Sequence, residues 1–134
     1  MKRVHQKHWD GCFVACVAML KNTTYDKATE LVHQIKLDRH TPACLPPENV
    51  PDILKRCKVQ FAQRSDRRRI SSFKNPTLFL IRWSGAPELL HAVVWDPSQR
   101  KILDPHFIEP LTHAEYESQA DSVFEILPRI KRKK

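Results

Sequence analysis

Glycine is nearly absent from this chain: Gly11 and Gly85 are the two in 134 residues. Chain reversals therefore fall to the ten prolines and to Asn, Asp and Ser. A glycine spent directly before Cys12 marks a point where the backbone needs room. Long apolar runs are missing too, since no stretch reaches the roughly 18 to 20 residues of a membrane span. The longest, Cys12 to Leu20, does not read as a signal-peptide core, because Asp10 interrupts its approach and Lys21 to Tyr25 offers no small-residue cleavage site. The expectation is a cytoplasmic protein. Cysteine is sparse: Cys12, Cys16, Cys44 and Cys57 make no dense disulfide framework, and in a reducing compartment they read as thiols. Internal repeats are lacking, as is low complexity beyond a basic tail.

What remains is the composition of an ordinary globular protein, 41% apolar and 28% charged, and long enough to bury one core. One domain is expected over residues 1–128, followed by a tail at 129–134. The net charge of +8 is uneven. Arg64, Arg67, Arg68 and Arg69 form one cluster, and five of the last six residues, Arg129 to Lys134, are basic. Such blocks attract acidic protein surfaces or nucleic acid; as plain structure they are a solvated loop and a frayed tail.

Apolar spacing predicts a largely buried helix from about Cys12 to Lys21 and a second from about Tyr25 to Ile35, with Thr24 as its cap. A third, from about Glu48 to Arg56, begins at prolines. After it the period changes. "KVQFA", "PTLFLIRW", "HAVVW", "KILD" and "SVFEIL" read as strands, and a short helix from about Thr112 to Ser118 separates the last two, with Glu115 placed for a capping box. Helices first and strands after them argue α+β with an antiparallel sheet. A turn at Asp96-Pro97-Ser98 makes a hairpin that brings His91, expected at the start of its strand, near Asp104.

Three pieces of chemistry then converge. Cys12 opens a helix, where the dipole and unpaired N–H groups favour thiolate over thiol. Asp104 is placed to fix the tautomer and orientation of His91. The Cys12 backbone N–H and the Gln6 side-chain amide are candidate donors to a developing oxyanion. Taken singly, Cys12 reads as a small core residue, His91 as a hydrogen-bonded core histidine and Asp104 as a turn residue before Pro105; their conjunction and order carry the inference.

Gln6, Cys12, Ala15, Ala18, Met19 and Leu20, followed by "HAVVWDPSQRKILDP", resemble the bacteriocin-leader-processing (double-glycine) cysteine peptidases and their papain-like relatives. The resemblance is close over the first 20 residues and extends in pattern over residues 76 to 107. It implies a papain-like α+β fold with N-terminal helices packed on an antiparallel sheet, Cys12 as nucleophile, His91 as general base and acid, Asp104 as orienter and Gln6 as oxyanion donor. Family members usually carry Cys-Gly at the nucleophile, whereas this chain has Gly11-Cys12-Phe13, which makes the wall beside the sulfur bulkier. They are also typically domains of much longer export machines, so double-glycine leaders need not be the substrate here.

The expected activity is hydrolysis of a peptide or isopeptide bond in a protein or peptide, with His8, Trp9 and Gly11 lining the substrate groove and no metal or organic cofactor. The same groups serve deamidation or acyl transfer, and an inactive homologue would keep them too. A zinc site recruiting Cys12, Cys16 and His5 or His8 lacks a second ligand pair of standard spacing. A nucleic-acid-binding module would use Arg67, Arg68, Arg69 and the tail as phosphate contacts, but no aromatics interleave with those runs.

Overall fold

The structure, a computed structural model, describes residues 1–4, 12–35, 50–65, 69–83, 86–105 and 113–127. Helices α1 (Cys12–Lys21), α2 (Tyr25–Ile35) and α3 (Val50–Arg56) precede strands β1 (Phe61–Arg64), β2 (Thr77–Trp83), β3 (Ala86–Asp96) and β4 (Lys101–Leu103). Helix α4 (His113–Gln119) and strand β5 (Ala120–Ile126) follow. The class is α+β, as the order of helical and strand periods implies, and the five strands form one sheet in the order β1-β5-β2-β3-β4. Every pairing is antiparallel.

Helix α1 buries every residue from Cys12 to Met19, because α2 covers one side of it and the sheet the other. It shares one buried cluster with Leu78, Leu80, Ala92 and Val94 from the sheet, and with Tyr25, Ala28 and Val32 from α2. Burying a side chain of Val or Phe size contributes roughly 1.5–3 kcal/mol, so this helix is the centre of the first core. Alternation along the strands sends Phe79, Ile81, Val93 and Trp95 to the opposite face. There they pack with Ile70, Phe73 and Tyr116 into a second core under α4 and a single 3-10 turn, Ile70–Ser72. Glu117 of α4 accepts the Ile70 N–H at 2.7 Å, tying that turn to the helix.

The shortage of glycine shows in the backbone. Asn22, Lys58 and Arg100 have φ of 53°, 63° and 54°, the left-handed region glycine usually fills. Two of them end helices in the same way. After α1, Thr23 N–H donates to the Ala18 carbonyl and Asn22 N–H to that of Met19; after α3, Val59 N–H donates to Leu54 and Lys58 N–H to Lys55. These paired reversals satisfy carbonyls that a helix end leaves bare. Thr24 caps α2 by accepting the Lys27 N–H at 3.2 Å.

The β3–β4 turn is closed by Asp96, whose Oδ1 accepts Ser98 N–H at 3.0 Å and the Ser98 hydroxyl at 2.7 Å. Gln99 donates to its Oδ2 at 2.6 Å, and the Met1 ammonium lies 3.4 Å from the same oxygen. The first residue of the chain is thereby tied to the hairpin, and Gln99 also donates to the Met1 carbonyl.

Candidate functional site

Helix α1 places Cys12 at its first residue, 3% exposed, so the sulfur sits where the helix dipole presents its positive end. Strand β4 pairs with β3 only over Val94 to Asp96. Below that level the flank of β3 is taken by α1: the Ala92 N–H donates to Cys12 Sγ at 3.4 Å. The sulfur thus meets a backbone dipole one residue from His91.

His91 pairs with Ile81 across the β2–β3 ladder and so lies on the face of the second core. It is not at the start of its strand, as the sequence reading expects. Strand β3 begins at Ala86, which puts His91 in its middle, where the backbone is held more firmly. Asp104 stands one residue past β4. Leu103 is opposite Val94, so Asp104 reaches the level of Val93 and addresses His91 on the diagonal, within range of a side-chain contact on one face.

That contact is short and dry. His91 Nε2 and Asp104 Oδ1 are 2.6 Å apart, with the two residues 4% and 7% exposed. The Tyr116 hydroxyl donates to the other carboxylate oxygen, Oδ2, at 2.8 Å, and Tyr116 is fully buried. With both oxygens accepting, the proton of this contact belongs to Nε2.

Tyr116 is the residue that sequence reasoning missed. Its signal was faint: it is the one large apolar ring in the short helix "HAEYESQ", a position that reads as an ordinary core contact. Nothing in the sequence distinguishes the Ala92 N–H. Of the other cysteines, Cys16 lies one turn along α1 and is fully buried. Burial pushes its thiol well above the ordinary value, and the nearby Asp104 carboxylate adds to the rise. Burial likewise raises Cys57, with Lys21 opposing. Cys12, Cys16 and Cys57 are all free thiols.

Gln6, His8, Trp9 and Gly11 lie outside the described residues, as do His5, Cys44, Thr112, Arg67, Arg68 and the tail at 129–134. Arg69 is described: it is exposed and extended, φ −66° and ψ 140°, just before the 3-10 turn. Among the described residues no group of three or more His, Cys, Asp or Glu is placed to hold a metal ion, and no helix is long and apolar enough to cross a membrane.

The architecture defines an α+β protein in which a cysteine at a helix N-terminus meets strand β3, whose His91 begins a buried chain of hydrogen bonds through Asp104 to Tyr116. No family model, curated protein or solved structure matches the chain.

Proposed function

We propose that this protein is a papain-like cysteine hydrolase that cleaves a peptide or isopeptide bond. The observation that carries the reading is the buried His91–Asp104 contact at 2.6 Å, one residue along the strand from the amide that holds the Cys12 sulfur. In this reading Nδ1 of His91 takes the thiol proton of Cys12, and Asp104 stabilises the imidazolium through Nε2–H. The thiolate attacks the substrate carbonyl, giving a tetrahedral oxyanion held by the Cys12 N–H and the Gln6 amide. Collapse breaks the C–N bond, the imidazolium gives its proton to the leaving amine, and a thioester remains. Water, deprotonated by His91, attacks the thioester and releases acid and free thiol. His8, Trp9 and Gly11, next to Cys12 in the sequence, are assigned to substrate binding, and the net charge of +8 favours a substrate with acidic character.

Alkylation by iodoacetamide, followed by peptide mass spectrometry at each cysteine, tests the thiol–imidazole pair before any substrate is known. At neutral pH Cys12 should react fastest, since burial keeps Cys16 and Cys57 as thiols and only thiolate attacks. His91→Ala should slow Cys12 and leave the others unchanged. If Cys12 is no faster than Cys57, or is indifferent to His91→Ala, the hydrolase reading is wrong. With a substrate in hand, Gln6→Ala should lower kcat by roughly a hundredfold or more.

A further inference from the structure

Strand β1 forms one edge of the sheet, three strands away from β3, or roughly 14 Å at the usual spacing. Beside it lies an open groove of about 720 Å³, walled by α3 and the segment that leads from it into β1. The backbone there is oriented for pairing. Leu127 N–H donates to the Gln60 carbonyl, and the β1–β5 register sets Ala62 opposite Glu125 and Arg64 opposite Val123. Antiparallel ladders alternate, so residues 60, 62 and 64 bond inward to β5, while Phe61 and Gln63 turn their N–H and C=O groups outward. Those two residues line the groove. Among the described residues no strand pairs with this edge.

Among the described residues that line the groove the charge has one sign: Lys55 and Lys58 stand together with Val59 and Phe61, and none of them is acidic. Asp52 is turned to Arg56 instead, 3.4 Å away on α3. Lys58 holds its place at a cost, since it occupies a left-handed position that glycine would fill with less strain. Among the described lining residues the aromatic ring is that of Phe61, already edge-on to Phe124 at 5.7 Å and 78°, and a ring so engaged is not a free stacking platform for bases.

We infer that the groove between α3 and β1 docks an acidic, extended segment of a partner protein by strand addition. The outward N–H and C=O groups of Phe61 and Gln63 extend the ladder to the new strand, alternate apolar side chains of the segment lie on Val59 and Phe61, and its carboxylates face Lys55 and Lys58. The basic tail of the chain itself has the wrong charge for this site. The inference makes no use of the thiol chemistry and stands or falls apart from it.

The test is fluorescence anisotropy of the full chain with a fluorescein-labelled octapeptide of alternating Glu and Val, together with amide hydrogen exchange. Binding should weaken with salt, fall about tenfold or more in a Lys55→Glu, Lys58→Glu double variant, and be lost when the peptide is N-methylated at alternate residues. On binding, exchange should slow at the Phe61 and Gln63 amides, while Ala62 and Arg64, already bonded to β5, change little. The N-methylated peptide keeps its charge, so the strand-addition step is tested without altering the protein. The inference is overturned if a Lys-Val octapeptide binds equally well, if N-methylation has no effect, if protection appears elsewhere, or if the edge is already protected in the free chain by its own tail or by a second copy, seen as dimer in sedimentation.

Discussion

The hydroxyl of Tyr116 donates to Oδ2 of Asp104 at 2.8 Å, while His91 faces the other carboxylate oxygen, Oδ1. Removing one hydrogen bond to a buried carboxylate costs about 1.5–3 kcal/mol. Tyr116→Phe keeps the ring in the second core and deletes the hydroxyl that makes this bond. Urea denaturation should show a loss of this size with an unchanged slope. Because Asp104 then holds the imidazole less firmly, alkylation of Cys12 should slow as well, by less than in His91→Ala. A stability loss with no change at Cys12 would make Tyr116 a core residue and nothing more.

The Asp96 carboxyl carries a pH dependence. Burial pushes it up, but the hydrogen bonds from the Ser98 hydroxyl, the Gln99 amide and the Ser98 N–H, with the charge of the Met1 ammonium, outweigh burial and leave it below the ordinary carboxylate value. A group lowered on folding adds stability that is complete above its unfolded value, about 3.9, and is lost as pH falls through the folded one. Thermal unfolding should therefore show Tm falling below about pH 4. Asp96→Asn should be less stable than the parent at pH 7, and the gap should close as pH falls below about 4. A gap independent of pH would mean that the hydrogen bonds matter and the charge does not.

The local elements were legible in the sequence because they are set by local chemistry. The bounds of α1 and α2 follow from apolar spacing and from Thr24, whose hydroxyl caps α2. The Asp96-Pro97-Ser98 turn follows from an Asx side chain beside a proline. The His91–Asp104 neighbourhood was legible through that hairpin. The extra length of β3 was not, since Pro87 and Glu88 are poor strand residues, and pairing with β2 up to Trp83 and Ala86 overrides their preference. The insertion of β5 between β1 and β2 is a contact across some sixty residues, which no periodicity encodes. Tyr116 reaches the site only through that long-range packing, because α4 is delivered to the second face of the sheet along with β5.

Thr24 itself gives a direct check on the first of these readings. Its side chain is a single acceptor for the third N–H of α2, and Thr24 is exposed, so Thr24→Ala removes the cap with little effect on packing. The expected loss is about 1 kcal/mol, read from the urea midpoint. Thr24→Asn, which keeps the acceptor, should restore it.

Lys58 separates stability from binding in one side chain. It ends α3 in the left-handed region, where a side chain crowds the backbone and glycine does not. Lys58→Gly should therefore stabilise the chain by about 1 kcal/mol, while Asn22→Gly, replacing a residue that tolerates this region, should gain only a few tenths. The same change removes one of the two cations among the described residues of the groove beside β1. Affinity for the Glu-Val octapeptide should then fall severalfold while Tm rises. Lys58→Asn distinguishes the two effects, because it relieves backbone strain in part yet loses the whole charge. It should bind as weakly as the glycine variant and lie between parent and glycine variant in stability. Should both variants become more stable and bind as tightly as the parent, Lys55 alone would supply the charge and Lys58 would be no more than a strained helix end.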